Sequence, residues 1–99
     1  MVKHIILWTL KDMPETEKTS VKKNIKTSLE ALQGKIPGLL EIKVNNNGLP
    51  SSTADVMLDS TFDSFDALKA YSKNPLHVEV ADTKVRPYTK TRACLDYEC

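Results

Sequence analysis

An α+β sandwich, with one four-stranded antiparallel sheet and helices packed on one face, is the fold class that this sequence predicts. Three observations predict it. Four segments carry strand patterning, at about residues 2–10, 40–45, 54–62 and 89–97, and helical stripes fall after the first and the third of them. The resulting order, β-α-β-β-α-(short α)-β, returns each strand antiparallel to its neighbour in one sheet. Finally, residues 2–10 carry apolar side chains on both parities, so the centre of the sheet is expected to be covered on both faces.

The first strand, Val2 to Leu10, is rich in β-formers and reads as a central strand. Asp12-Met13-Pro14-Glu15 supplies a helix start, with Pro near the first turn and acids favoured by the dipole. Val21, Ile25, Leu29, Leu32 and Ile36 then recur at helical spacing, giving an apolar stripe over roughly residues 15–35, while Lys18, Lys22 and Lys26 read as a solvated face. Gly34 and Pro37-Gly38 punctuate its end. Residues 40–45 alternate as a strand with one buried and one polar face, and 45–52 form a turn-rich loop.

In the third strand, Ala54, Val56, Leu58, Ser60 and Phe62 share one parity, and Asp55, Met57, Asp59 and Thr61 the other. Asp63 or Ser64 caps a second helix, in which Phe65, Leu68 and Tyr71 share the inward face. A short helix over 75–85 follows and Arg86-Pro87 ends it. In the last strand Ala93, Leu95 and Tyr97 lie on one side and Arg92, Cys94 and Asp96 on the other. The whole is a ferredoxin-like β-α-β-β-α-β sandwich, one domain over residues 1–99. Its uncovered sheet face predicts a twofold homodimer, because a monomer would leave part of Ile5, Leu7 or Met57 in water.

Composition narrows the function classes. The chain is 40% hydrophobic and 27% charged with a formal net charge of +1, so bulk charge points neither to nucleic acid nor to a membrane surface. The longest apolar run at the start, Ile5-Ile6-Leu7-Trp8, is too short to span a bilayer or to serve as a signal h-region, which makes a cytoplasmic location the expectation. Cys94 and Cys99 would be held beyond disulfide reach in an extended strand. No CxxC or HxxxH spacing is present, and Asp55 with Asp59 is a weak cation pattern, so no metal or other cofactor is expected. Arg92, Asp96, Asp55 and Asp59 read as ion pairs at a dimer interface or its rim. Nothing supports a Ser-His-Asp order, a phosphate-binding glycine loop or a nucleophilic cysteine.

The chemistry concentrates in Tyr71-Ser72-Lys73-Asn74-Pro75-Leu76-His77. Pro75 cannot continue the preceding helix but suits the first position of a new one, and Asn74 is its N-cap candidate. His77 then falls in the first turn of the new helix, where the dipole disfavours imidazolium and leaves a ring able to accept a proton at neutral pH. Tyr71 and His77 form a candidate acid–base pair. The plainer reading makes them packing and capping residues at a helix junction. His4 shares a strand face with Ile6 and Trp8, so these three either line a pocket or belong to a satisfied core.

With these elements in place, the chain resembles the stress-responsive dimeric α/β-barrel (Dabb) family. Met1-Val2-Lys3-His4-Ile5-Ile6-Leu7, Lys35-Ile36-Pro37-Gly38, Ser60-Thr61-Phe62, Tyr71 with Asn74-Pro75-Leu76-His77-Val78, and Asp96-Tyr97 carry the resemblance in order along essentially the whole chain. It implies a ferredoxin-like protomer whose sheet packs on its twofold mate to form a barrel. One branch, the olivetolic-acid-cyclase type of polyketide cyclase, performs an aldol condensation without metal or organic cofactor. The resemblance to it implies an acid–base role for His77 and pocket-lining roles for Tyr71 and His4, although Asn74 replaces the first histidine of that branch's His-Pro-x-His segment.

Three functional readings follow. One is a homodimeric domain binding a small molecule between helices and sheet, with cofactor-free acid–base chemistry of cyclase or lyase type on a carbonyl compound. The second is a stress-linked structural or interaction protein without chemistry. The third, a haem-degrading monooxygenase, rests on fold analogy alone.

Overall fold

The computed structural model describes residues 1–99. The chain runs β1 (Val2–Leu10), α1 (Glu15–Glu30), β2 (Leu39–Asn45), β3 (Val56–Phe62), α2 (Phe65–Lys73), α3 (Pro75–Val80) and β4 (Thr89–Glu98). Between α3 and β4 the backbone widens into a π-turn at Ala81–Val85 and tightens into a 3-10 turn at Arg86–Tyr88. The strands lie in the order β2-β3-β1-β4 with every pair antiparallel, the ferredoxin-like arrangement expected from the element order.

Period-2 geometry divides β1 cleanly. Val2, His4, Ile6, Trp8 and Leu10 are buried beneath the helices, whereas Ile5 is half-buried and Leu7 is 41% exposed on the opposite face. The apolar stripe of α1 supplies Val21, Ile25 and Leu29 to the same core. Leu32 and Ile36 are buried too, yet they lie beyond the helix, which ends at Glu30 rather than near residue 35. The backbone tightens after that point through bonds from Leu32, Gln33 and Lys35 to carbonyls three residues back, and Gly34 turns it at φ 79°. Gly38 is required for a second reason. Its φ is 80°, and a Cβ there would lie 2.4 Å from Ala67 Cβ, so only glycine lets the chain pass against the first turn of α2.

Two strand boundaries depart from simple alternation. β2 begins at Leu39, and the register shift between Leu39 and Glu41 inserts Leu40 as an extra residue, turning Leu39 inward and leaving Leu40 47% exposed. β3 begins at Val56, so Ala54 and Asp55 precede it. Asp55 donates its amide to the Trp8 carbonyl and accepts from the Leu10 amide at 2.8 Å through its carboxylate. It is therefore a strand-end clamp rather than a rim ion pair.

The lysine row of α1 is not a plain solvated face. Lys26 donates to Glu30 at 2.7 Å and to the Val44 carbonyl at 2.8 Å, while Glu30 accepts from the Val44 amide at 3.0 Å. Gln33 bonds in the same way to the Leu40 carbonyl and the Ile42 amide. These side chains satisfy the outer edge of β2, which would otherwise present unpaired backbone groups to another chain. Burial pushes the Glu30 carboxyl up, but Lys26 and the Val44 amide outweigh it and hold the group below the usual range.

The opposite edge strand, β4, has no such cover, and the face of the sheet away from the helices is apolar at its centre. Leu7, Leu95 and Tyr97 are exposed there beside half-buried Ile5 and Met57, with Leu95 paired to Ile5 and Met57 to Leu7. Asp59 bonds Lys3 at 2.8 Å on this face, a pair made within the protomer.

Candidate functional site

A pocket of about 490 Å³ opens between the helix layer and the β1–β4 half of the sheet. β1 contributes His4, Ile6 and Trp8 to its wall, and β4 contributes Arg92, Cys94 and Asp96. The register explains the grouping. Trp8 pairs with Arg92, Ile6 with Cys94 and His4 with Asp96, and directly paired residues project from the same face.

The roof is set by the break between α2 and α3. Ser64 caps α2 by accepting from the Ala67 amide, and Asn74 caps α3 by accepting from the Leu76 amide at 2.9 Å, with Pro75 at the first helical position. The helix therefore stops at Lys73 and restarts in a new direction, which folds His77 back over Tyr71. Their ring centroids are 4.1 Å apart and tilted by 38°. Phe62 meets Tyr71 edge-on at 5.0 Å and His4 does so at 6.2 Å, so the phenol ring is held on several sides. Phe65, expected on the inward face with Leu68 and Tyr71, instead stands 54% exposed at the pocket mouth, with the Lys69 ammonium 5.1 Å above its ring.

Two polar atoms in this wall have no hydrogen-bond partner although both are buried: the Tyr71 hydroxyl oxygen and His77 Nδ1. Tyr71 is only 1% exposed, and burial raises its hydroxyl well above the usual phenol range. Burial also holds the His77 imidazole below the usual histidine range; Arg86, His4 and Arg92 act in the same direction and the Ser72 backbone opposes them. The neutral ring expected from the helix terminus is thus favoured, with burial as its main cause. At neutral pH the pair consists of a protonated phenol and an unprotonated imidazole, a donor beside an acceptor.

His4 is buried, and its Nδ1 bonds the Asp96 carboxylate. An ionised carboxylate only accepts, so Nδ1 carries the proton and a neutral ring offers Nε2 as an acceptor. Its backbone carbonyl accepts from the fully buried Ser60 hydroxyl at 2.9 Å. Asp96 therefore turns toward the helices and serves His4 within the protomer, not an ion pair at the dimer rim. Arg92 makes no ion pair within the protomer. Asp55 and Asp59 are engaged separately, by the Leu10 amide and by Lys3. Cys94 Sγ lies 3.8 Å from His4 Nδ1 and 3.5 Å from Asp96 Oδ1, and burial together with Asp96 pushes its thiol up.

The structure thus brings together all five residues singled out by sequence, His77, Tyr71, His4, Ile6 and Trp8, on one pocket. Sequence reasoning missed Asp96 and Cys94. Their shared parity with Arg92 was visible, but the pairing of β4 to β1 that sets Asp96 opposite His4 was not.

The family model for the stress responsive A/B barrel domain matches residues 2–99. A dimeric protein of unknown function and ferredoxin-like fold from Bacteroides fragilis is 39% identical, with a TM-score of 0.91 over 99% of this chain and 95% of that one. A hydroxynitrile lyase from Passiflora edulis (21% identity, TM-score 0.77, 97% and 90% covered) has the same fold. So does a haem degrader from Mycobacterium tuberculosis (16%, TM-score 0.73, 100% and 95% covered). No curated protein matches the sequence. No helix is long and apolar enough to cross a membrane. The match along nearly the full length, together with the close Bacteroides structure, shows that the chain belongs to the stress-responsive A/B barrel domain family.

Proposed function

We propose that the protein is a homodimer, assembled through the open sheet face, whose pocket binds a small enolisable carbonyl compound and performs acid–base chemistry on it without a cofactor. The observation that carries this reading is the pair of buried, unpartnered polar atoms, the Tyr71 hydroxyl and His77 Nδ1, in one pocket. Leaving a buried polar group unpaired costs about 1–3 kcal/mol, and a ligand that enters the pocket and opens its wall to pair both recovers that cost. The dimeric Bacteroides relative supports the assembly.

In this reading His77 is the base. Its neutral imidazole takes a proton from the carbon alpha to the ligand carbonyl, and the C–H electron pair moves into the developing enolate. Tyr71 keeps its proton at neutral pH and donates a hydrogen bond to the enolate oxygen. The imidazolium then returns its proton to carbon or to a leaving oxygen, which restores the resting state. Ile6 and Trp8 supply the apolar wall, and His4, oriented by Asp96, lines the floor as a second polar contact.

Deuterium exchange at the alpha carbon of phenylacetone, followed by NMR in D2O, tests the chemistry directly. The wild-type protein is expected to accelerate exchange, His77→Ala to abolish the acceleration and Tyr71→Phe to reduce it. Equal rates with and without protein sink the acid–base reading. If His77→Ala instead lowers stability while ligand affinity, read from Trp8 fluorescence, stays unchanged, the two residues serve the helix junction alone.

A further inference from the structure

One cluster at the pocket takes no part in the proton transfer to and from His77. His4 on β1 and Cys94 and Asp96 on β4 bring a nitrogen, a sulfur and an oxygen within 4.8 Å of one another. We infer that these three side chains form a binding site for a borderline divalent metal ion of the zinc type, with its remaining coordination position open to the pocket.

The donor chemistry selects the metal class. A thiolate and an imidazole favour zinc or its cobalt analogue over magnesium and calcium, which take oxygen ligands. Three protein ligands with one free position is the pattern of zinc sites that bind an exogenous ligand. Two of the three donor separations suit such a site, and the third, His4 Nδ1 to Asp96 Oδ1, is shorter and must open to admit the ion. Zn–S near 2.3 Å and Zn–N or Zn–O near 2.0–2.1 Å, set tetrahedrally, separate the donors by roughly 3.3–3.6 Å. Cys94 Sγ lies 3.5 Å from Asp96 Oδ1 and 3.8 Å from His4 Nδ1. His4 Nδ1 donates to Asp96, and the metal would replace the proton between them.

The backbone holds this arrangement. His4 pairs with Asp96 and Ile6 with Cys94 in the β1–β4 ladder, so all three ligands project from adjacent positions of two hydrogen-bonded strands. His4 is fixed further by the Ser60 hydroxyl on its carbonyl. Binding is balanced in protons. The Cys94 thiol releases its proton to solvent as the S–metal bond forms, and the imidazole proton moves from Nδ1 to Nε2. All three residues line the pocket, so the open position faces the cavity that also holds Tyr71 and His77.

The site is tested by titrating the chelator-treated protein with Co²⁺. The expected result is one equivalent per protomer, a near-ultraviolet thiolate-to-cobalt charge-transfer band and intense visible bands of a tetrahedral ion, all displaced by Zn²⁺. Cys94→Ser should lose the charge-transfer band and Asp96→Asn should weaken binding at least roughly tenfold. Cys99→Ser, which removes the other exposed thiol, should leave the spectrum intact. Absence of the bands in wild type, or their survival in Cys94→Ser, overturns the inference. If Cys94→Ser does not fold, unchanged affinity in Asp96→Asn overturns it equally. None of these readouts depends on carbonyl chemistry, so failure of metal binding and failure of the acid–base reading are told apart by the cobalt spectrum and by alpha-proton exchange.

Discussion

Tyr71→Phe separates a ligand-binding role for the phenol from a structural one, because the two predict opposite signs for stability. The hydroxyl is buried in a residue 1% exposed and meets no hydrogen-bond partner. A buried polar group without a partner costs about 1–3 kcal/mol. Phenylalanine keeps the ring, and with it the edge contact to Phe62 at 5.0 Å and the tilted contact to His77 at 4.1 Å. Deleting the oxygen should therefore stabilise the protein by about 1 kcal/mol, the lower end of that range, since the ring environment gives nothing back for the lost volume. In a chain of 99 residues this raises Tm by about 4–8 °C. Urea unfolding, at fixed protein concentration because assembly contributes to stability, should shift its midpoint up by about 0.3–1 M with an unchanged slope. Ligand affinity and alpha-proton exchange should fall in the same variant. A Tyr71→Phe protein destabilised by more than about 1 kcal/mol would show that the hydroxyl is bonded in the folded state, and the argument that its lone position awaits a ligand would fail.

Three further outcomes follow from the structure. The folded His77 imidazole titrates below its ordinary value of 6.5, so between the two values the unfolded chain binds more protons than the folded one; its stabilising effect is complete above pH 6.5 and is lost as pH falls below it. The decline of Tm on acidification through that window should be shallower in His77→Phe than in wild type, and parallel curves would contradict a buried neutral ring. Gly38→Ala should cost more than Gly34→Ala in chemical denaturation: both have positive φ, which costs an L residue about 1–2 kcal/mol, but only at Gly38 does the new methyl meet backbone-anchored atoms, Ala67 Cβ at 2.4 Å. Equal costs would mean that α2 moves away freely. Leu95→Lys places a charge on the apolar open face, where Leu95 is 64% exposed; under the proposed assembly the variant should be monomeric in light scattering where wild type is dimeric, and a dimeric variant would place the interface elsewhere.

The architecture was legible because its elements rest on local signals. The two-parity pattern of residues 2–10, the Ser64 cap and the Asn74-Pro75 break each specify their element without help from distant contacts. The misreadings share a cause as well. Leu32 and Ile36 continue the stripe of α1 at helical spacing, but they are buried from a turn tightened around Gly34, and hydrophobic period alone does not distinguish a helix from a turn that aims its side chains the same way. Leu40 was misassigned because the bulge beside it reverses parity, and the pairing that makes the bulge is with β3. Lys26 reads as solvated because its partner on β2 is a backbone carbonyl, which carries no mark in the sequence.

The site divides along the same line. Tyr71 and His77 are six residues apart, and the geometry that joins them is one capped helix break, so local sequence carried it. His4 with Asp96 and Cys94 spans 92 and 90 residues, and it exists only through strand register. Asp96 was assigned to an interface because a charge on an exposed strand needs a counter-ion, which is sound physics applied to the wrong face. Once β4 pairs with β1 so that Asp96 stands opposite His4, the same need is met inside the protomer. The edge that α1 leaves uncovered is thus the strand that completes the pocket. Coupling follows from that placement: a perturbation that moves β4, whether the inferred metal at Cys94 and Asp96 or the proposed partner on Leu95 and Tyr97, moves one wall of the cavity that holds Tyr71 and His77.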